Sequence, residues 1–405
     1  MPLTAREAAL TSGLALMLPE ESQTKFLRAA LFRGAAGVRA LADVAPELAK
    51  PQRLTVAQRV AVRTVSPLLE SATADTVRAH RLGADAIKVL RMAAARERVR
   101  YDTVRRLATG LLTAFADRGV EAILLRGLVL AETVYPEPFR RHTHDIDLYV
   151  RPADLDRAIE AARAAGFAER VDDPDRLPGG IRLVHPSGLP VELHTSLFLD
   201  PFYPAELEGM FERARQAQLF ADSTRALGTA DQLVHILGNA AQSPVRGSLR
   251  WVTDAWLLID SDPALDWKVV LIHAEFAQLA LPLSVMLRYL SEALQSPVPA
   301  EVLERLDASA RTASPIARDV ALYGARAGLP ALSLVRRAPR GIRSRLWALR
   351  WLLFPSPMYL RHAYRGRRLP VGLLYPYRIW HHAVAALRGA IRRVRMPGSL
   401  EAEIA

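Results

Sequence analysis

Hydrophobic positions recur at helical spacing through the first 120 residues, as in the stretch 26–31 (FLRAAL). Apolar residues three and four positions apart form one stripe along a helix, so this region is expected to be a layer of several helices. Its last helix, from about 98 to 118, should end at Gly119, because glycine often terminates helices. Breaks between helices are expected at three prolines, Pro46, Pro51 and Pro67.

Short apolar runs and strict alternation replace the helical pattern between about 105 and 204. The continuously apolar run 122–125 predicts a buried strand over 121–126 that ends at Gly127, and the Pro186-Ser187-Gly188 segment predicts a hairpin turn. The expected elements are, in order, a strand at 121–126, a helix at 128–135, a strand at 144–150, a helix at 153–165 and paired strands at 181–184 and 189–194.

Helical spacing returns after about 205. The clearest segments are 231–242, 249–259, 267–279 and 282–295. The chain therefore predicts an α+β fold, in which a small mixed β-sheet core is flanked by helices and both terminal regions are helical. The expected division is a helical N-terminal region at 1–104, the mixed core at 105–204, a helical domain at 205–335 and an Arg- and aromatic-rich helical tail at 336–405.

The amino-acid composition excludes several kinds of functional site. The 405 residues include no cysteine, which excludes disulfides, thiolate metal sites and cysteine nucleophiles. The N-terminus lacks the basic start and apolar core of an export signal, and no uncharged apolar run reaches eighteen residues. A cytoplasmic location is therefore expected.

Positive charge is concentrated in the tail. Residues 336–395 contain 15 arginines and no Asp, Glu or Lys, although the whole chain has a net charge of only +12. Three interpretations stay open. A helical extension packed on the body is favoured, peripheral contact with an anionic membrane is second, and nucleic-acid binding through interleaved aromatic residues is the least favoured.

Two carboxylates, Asp145 and Asp147, lie at the start of the 144–150 strand. Side chains alternate along a strand, so both project to one side while Ile146 and Leu148 project to the other. Adjacent buried carboxylates are costly without a cation. The chain has six acidic-x-acidic pairs, and this one alone lies on a predicted strand.

A third carboxylate, Glu192, follows on the 189–194 strand, on the same face as His194. Three carboxylates on neighbouring strands can hold one or two Mg²⁺ (or Mn²⁺) ions and align a nucleoside triphosphate. His194 is expected to orient or pack rather than to ligate. His142, His144 and His185 have no zinc-site spacing.

These motifs, in this order, resemble the nucleotidyltransferase superfamily with its DNA polymerase beta-like fold. More narrowly, the chain is similar to a bacterial group described as uncharacterised nucleotidyltransferases, over about 120–300. The matching segments are Leu124-Leu125-Arg126-Gly127, Tyr135-Pro136, Arg141-x-x-x-Asp145-Ile146-Asp147-Leu148 and Val191-Glu192-Leu193-His194, with His235, the Asp254 helix and Asp266-Trp267 downstream.

The resemblance implies an enzyme that transfers a nucleoside monophosphate from an NTP such as ATP to an unidentified acceptor. It implies that the core at 105–204 is a nucleotidyltransferase core. Asp145, Asp147 and Glu192 would be catalytic and metal-binding, and Gly127 would lie under the triphosphate. Arg126 stands where the narrower group usually has Lys. Arg126 and Arg141 are candidate phosphate contacts, with a structural salt bridge as the alternative for Arg141.

One departure from the superfamily's pattern favours a different function. The superfamily places Ser after the glycine to hold a phosphate oxygen, whereas this chain has Leu128. The alternative is therefore a catalytically inactive nucleotide- or partner-binding module on the same fold. A glycosyltransferase that binds a sugar-nucleotide metal through Asp145 and Asp147 is less favoured, because such enzymes need a larger α/β fold upstream.

Overall fold

The computed structural model describes residues 14, 17–71, 76–168, 180–198, 206–216, 224–242, 249–312, 354, 370, 372–377 and 379–380. The helices are α1 Glu21–Leu31, α2 Gly34–Leu48, α3 Val56–Glu70, α4 Thr76–Ala116, α5 Arg126–Thr133, α6 Leu155–Ala164, α7 Met210–Arg213, α8 Thr229–Gln242, α9 Arg250–Ser261, α10 Trp267–Phe276, α11 Ala280–Leu294 and α12 Ala300–Thr312. The strands are β1 Ala122–Leu124, β2 Ile146–Val150, β3 Gly180–Val184, β4 Pro190–His194, β5 Arg215–Gln216 and β6 Thr224–Ala226. Within this part of the chain, no helix is long and apolar enough to cross a membrane.

The N-terminal region is helical, as expected, but two of its three prolines do not separate helices. Pro46 lies inside α2 and Pro67 inside α3, whereas Pro51 starts a short 3-10 helix between them. An interior proline costs about 3 kcal/mol because one backbone hydrogen bond is lost. Both helices pack a buried apolar face against neighbouring helices, which offsets that cost.

Helix α4 is longer than the pattern predicted and is interrupted at Gly83, whose φ of +67° is not helical. Its predicted end is confirmed. Gly119 has a φ of +62°, which glycine adopts without steric cost, and its N–H donates to the Ala116 carbonyl. This turn leads the chain directly into β1.

The α+β prediction is confirmed by a six-stranded mixed sheet in the order β3-β4-β2-β1-β6-β5. The hairpin β3–β4 is antiparallel, as predicted, and β2 lies parallel to β4. The expectation that the chain is only helical after 205 was wrong, because β5 and β6 add two strands at the other edge, β6 parallel to β1. Strands of two or three residues leave no periodic signal in a sequence.

Strands β1 and β2 are buried along their whole length, because helices cover the sheet. Helix α8 contacts α5, α9, α10 and α11 and brings its polar side chains to the carboxylate edge of β2. The predicted domain boundaries stay a prediction. The Arg-rich tail lies mostly outside the described residues.

Candidate metal centre

The centre is built by the parallel pairing of β2 with β4. Asp147 lies opposite Glu192, and Tyr149 lies opposite His194. Residues two apart share a face, so all four side chains project from the same side of the sheet. Leu148 and its neighbours on the other side are buried in the core. The hydrophobic alternation of two strands thus forces two carboxylates and an imidazole together.

Asp147, Glu192 and His194 each offer one ligand atom, and these atoms all lie within 4.8 Å of one another. Asp147 is buried, and the other two side chains are partly exposed. The His194 Nε2 atom is 3.2 Å from Asp147 Oδ1 and 3.7 Å from Glu192 Oε2. His194 thus lies where its ring could serve as a third ligand or, as the sequence favours, as the group that orients Asp147.

Asp145 lies one residue before β2, beside the three clustered groups. Its Oδ2 atom is 3.2 Å from His144 Nε2, and its side chain is 21% exposed. The structure therefore brings together Asp147 and Glu192 as predicted, with Asp145 next to them at the end of the strand. Asp145 is not among the three groups whose ligand atoms already lie within 4.8 Å of one another.

The carboxylates repel one another. Burial and the negative charge of Asp147 raise the pKa of Asp145, and the same two causes raise the pKa of Glu192. Burial also disfavours ionisation of Asp147. However, the Arg126 guanidinium and the hydrogen bond from His194 outweigh burial and hold the pKa of Asp147 well below its usual range. The charge of Asp147 is thus stabilised by Arg126 and His194, whereas burial and that same charge disfavour ionisation of Asp145 and Glu192.

This donor set fits a divalent cation. Carboxylate oxygens suit Mg²⁺, and an added imidazole suits Mn²⁺ and other transition ions. A cation would offset the repulsion that raises the pKa values of Asp145 and Glu192. Both Asp147 oxygens already accept hydrogen bonds, one from Arg126 and one from His194. Metal binding must therefore compete with Arg126.

Arg126 is held in a strained conformation at the turn from β1 into α5. Its backbone φ angle is +30°, a value that residues other than glycine rarely adopt. Its Nη2 atom donates to Asp147 Oδ2 over 3.0 Å, and its Nη1 atom donates to Asn239 Oδ1 on α8. The strained backbone is therefore at Arg126, which contacts Asp147, and not at Gly127, where the sequence predicted the turn.

Gly127 is buried in the first turn of α5, next to the loop before β2. A Cβ atom built on it would lie 3.5 Å from Arg141 Nη1 and 3.8 Å from the Asp145 carbonyl and from Thr143 Cγ2. These are ordinary contacts, so the packing of this loop does not itself require a glycine. The expected place of Gly127 under the triphosphate stays a prediction.

Arg141 forms a buried ion pair with Asp254 of α9. Its Nε and Nη2 atoms donate to the two Asp254 oxygens over 2.8 and 2.7 Å, and the Tyr135 hydroxyl donates to the same carboxylate over 2.7 Å. The side chains of Arg141 and Asp254 are only 8% and 4% exposed. The salt-bridge alternative for Arg141 is thus the contact observed. A phosphate contact stays a prediction.

Three residues from the helices after 228 were not assigned to the centre by sequence. Asn239 binds Arg126, and Arg250 donates to His144 Nδ1 over 2.7 Å. His235 is buried, and its Nδ1 atom has no partner among the described residues. Burial and Arg126 lower the pKa of His235 well below its usual value. Asn239, Arg250 and His235 lie about a hundred residues from β2 in the sequence, so no local spacing of residues could predict their place at the centre.

Comparison with known proteins supplies the family. A family model described as uncharacterised nucleotidyltransferase matches residues 52–295, more than half of the chain. The match starts earlier than the resemblance at 120–300 and takes in helices α3 and α4 of the N-terminal region. It includes the six described strands and helices α8 to α11. Searches of curated proteins and of solved structures found no match.

Proposed function

The chain belongs to the uncharacterised nucleotidyltransferase family, and on this premise we propose that it transfers a nucleoside monophosphate from an NTP to an acceptor. The observation that carries the proposal is the convergence of Asp147, Glu192 and His194 on one sheet face, with Asp145 beside them. Carboxylates spaced in this way on parallel strands suit divalent-metal binding next to a nucleotide.

The proposed metal ligands are Asp145, Asp147 and Glu192, with His194 as an added ligand or as the donor that orients Asp147. We propose Mg²⁺ as the ion, or Mn²⁺ if His194 ligates. A divalent cation held there would supply positive charge to the phosphate oxygens during transfer.

The reaction balances with these residues. The acceptor loses a proton and forms a bond from its nucleophilic atom to the α-phosphorus, while the bond from that phosphorus to the bridging oxygen breaks and pyrophosphate leaves. Glu192 is the proposed proton acceptor, because it lies at the partly exposed edge of the cluster, where an acceptor can approach its carboxylate.

The positive side of the site would hold the phosphates. Arg126 is the proposed phosphate contact, since a guanidinium pairs with two phosphate oxygens at once. To act in this way, Arg126 exchanges Asp147 for phosphate as the cation and nucleotide enter. Gly127 and Arg141 would shape the loop around the site through their close packing.

A transfer assay tests the proposal. The purified protein is incubated with cell extract, Mg²⁺ or Mn²⁺, and each NTP, ATP included, labelled either at the α- or at the γ-phosphate. Label from the α-phosphate alone should enter an acceptor, and the Asp145→Asn/Asp147→Asn variant should lose it. Transfer of γ-label, or equal labelling by the variant, would contradict nucleotidyl transfer.

A second function is favoured by one observation. Leu128, which stands where the superfamily has Ser, is 1% exposed inside α5 and offers no group to phosphate. A catalytically inactive nucleotide- or partner-binding module would accept this change. It predicts calorimetric NTP binding without turnover, and any α-label transfer that depends on Asp147 would exclude it.

Location stays a prediction. We propose a cytoplasmic protein whose Arg-rich tail contacts anionic membrane surfaces. Among the described tail residues, Phe354, Leu373 and Trp380 are exposed apolar side chains, which suits an interfacial contact. The full chain should sediment with vesicles containing phosphatidylserine and not with neutral ones. Equal recovery with both vesicle types would contradict the contact.

A further inference from the structure

Arg250 carries a positive charge that no carboxylate of the described residues neutralises by an ion pair. It is the first residue of α9, and its side chain is half-buried. Its Nη1 atom donates to His144 Nδ1 over 2.7 Å. A guanidinium has five N–H donors, and among the described residues this is the only side-chain hydrogen bond of Arg250, so most of its donors are not used by that part of the chain.

The carboxylate that is best spaced to pair with Arg250, that of Asp254, already forms an ion pair with another arginine. Asp254 follows four residues later on α9, at the spacing where opposite charges commonly pair along a helix. Both Asp254 oxygens instead accept from Arg141, and the Tyr135 hydroxyl adds a third donor. Asp254 therefore compensates Arg141, and Arg250 has no carboxylate partner among the described residues.

The contact with His144 places Arg250 beside the metal centre. An arginine can only donate, so His144 Nδ1 accepts and the proton of the neutral ring is on Nε2, which lies 3.2 Å from Asp145 Oδ2. One imidazole therefore separates Arg250 from the predicted metal ligand Asp145.

The charges around Arg250 point to an anion. Burial, followed by the nearby Arg141 and Arg126 guanidinium groups, lowers its pKa, and the attraction of Asp145 does not compensate. The amides at the start of α9 add partial positive charge, since no side chain caps this helix. Arg250 and Arg126 thus form a cationic side next to the acidic side of the same centre.

We propose that Arg250 is a triphosphate-binding residue, whose guanidinium on His144 holds the β- and γ-phosphate oxygens of the NTP. This assignment rests on the proposed nucleotidyl transfer. The α-phosphorus must lie at the metal-binding carboxylates, so the departing pyrophosphate needs its own positive partner. A guanidinium holds two phosphate oxygens and gains strength as the leaving group gains charge.

The test measures tripolyphosphate, a probe that has the phosphates without a base. Calorimetry of the Mg²⁺–tripolyphosphate complex should give about tenfold weaker binding to the full-length Arg250→Gln variant than to the wild type, since a hydrogen bond to a charged group contributes about that much. Affinity for AMP, which lacks the β- and γ-phosphates, should not change.

A control variant is offered by Arg33, which pairs with a residue at the other end of helix α9. Arg33 donates to Asp260 Oδ2 over 2.9 Å and is 75% exposed. It reaches α9 about 15 Å along the helix from Arg250, at 1.5 Å per residue. Arg33→Gln removes the same charge and should leave tripolyphosphate binding unchanged. Equal affinities of the Arg250→Gln and Arg33→Gln variants would overturn the assignment.

Two further measurements separate phosphate binding from positioning and from folding. Affinity for Mn²⁺ alone should not weaken in Arg250→Gln. A loss as large as the tripolyphosphate loss would show that Arg250 only positions Asp145 through His144.

Arg250→Lys retains the charge without the planar fork of the guanidinium, so this variant should bind tripolyphosphate more weakly than the wild type. Wild-type affinity of Arg250→Lys for tripolyphosphate would also overturn the assignment. Absence of tripolyphosphate binding by the wild type would refute the proposed function itself.

Discussion

Replacement of Arg141 by Met decides whether this arginine supports the loop or binds phosphate. Met fills much of the space of the arginine stem but provides no charge. The substitution leaves Asp254, which is 3% exposed, with the Tyr135 hydroxyl but without the guanidinium that pairs with it. Removing one partner of a buried ion pair typically costs about 3–5 kcal/mol, because the remaining charge is buried alone.

We expect Arg141→Met to lower the free energy of unfolding in urea by about 3–5 kcal/mol, since each Asp254 oxygen loses its guanidinium donor. The double variant Arg141→Met/Asp254→Asn leaves no unpaired charge. It should lose only about 1–3 kcal/mol, the usual cost of an unsatisfied neutral group. The double variant is thus expected to be more stable than the single one.

The reasoning would be refuted if Arg141→Met unfolded at the wild-type urea concentration. A variant of wild-type stability that bound Mg²⁺–tripolyphosphate about tenfold more weakly would identify Arg141 as a phosphate contact after all. A double variant as unstable as the single one would show that the charge of Asp254 is not the cause.

Three other predictions follow from contacts in the same unit. Arg126→Gln should raise the affinity for Mn²⁺ alone by about tenfold, because the Asp147 oxygen that the guanidinium occupies becomes free; unchanged or weaker affinity in calorimetry would contradict the competition. Leu128→Ser should lower unfolding free energy by about 2–5 kcal/mol without raising transfer, since the residue is buried; a gain in transfer would show that the hydroxyl reaches phosphate. Burial acts against the charge of Asp231, but His273 and Arg213 outweigh it and hold the pKa of Asp231 below its usual value. That stabilisation is full above the unfolded pKa of about 3.9 and is lost as pH falls through the lower folded value. Urea midpoints from pH 6 to pH 2 should therefore fall less in Asp231→Asn than in the wild type, and parallel curves would contradict this linkage.

The acidic pair and its partner strand could be predicted because they follow a local rule. Alternation along 144–150 and 189–194 places Asp147 and Glu192 each opposite an apolar face, and parallel pairing then puts them side by side. The sequence could not give the pairing itself, but few arrangements bury both apolar faces. This part of the centre follows from hydrophobic periodicity.

The rest of the centre depends on tertiary contacts. Asn239 and Arg250 reach it from helices whose own pattern is only amphipathic. The strain at Arg126 was not predictable, because the neighbouring glycine is the residue that usually takes a positive φ. Pro46 and Pro67 were misinterpreted for a related reason, since packing against neighbouring helices outweighs a local preference.

The most direct test of the central claim is Mn²⁺ binding followed by electron paramagnetic resonance. The wild type should bind the ion, and Asp147→Asn and Glu192→Gln should each weaken binding by at least about tenfold through loss of a charged ligand. Glu121→Gln is the control, because Glu121 pairs with Arg225 and Arg151 outside the cluster. Wild-type affinity in both site variants, or equal loss in the control, would contradict a metal centre on this sheet face.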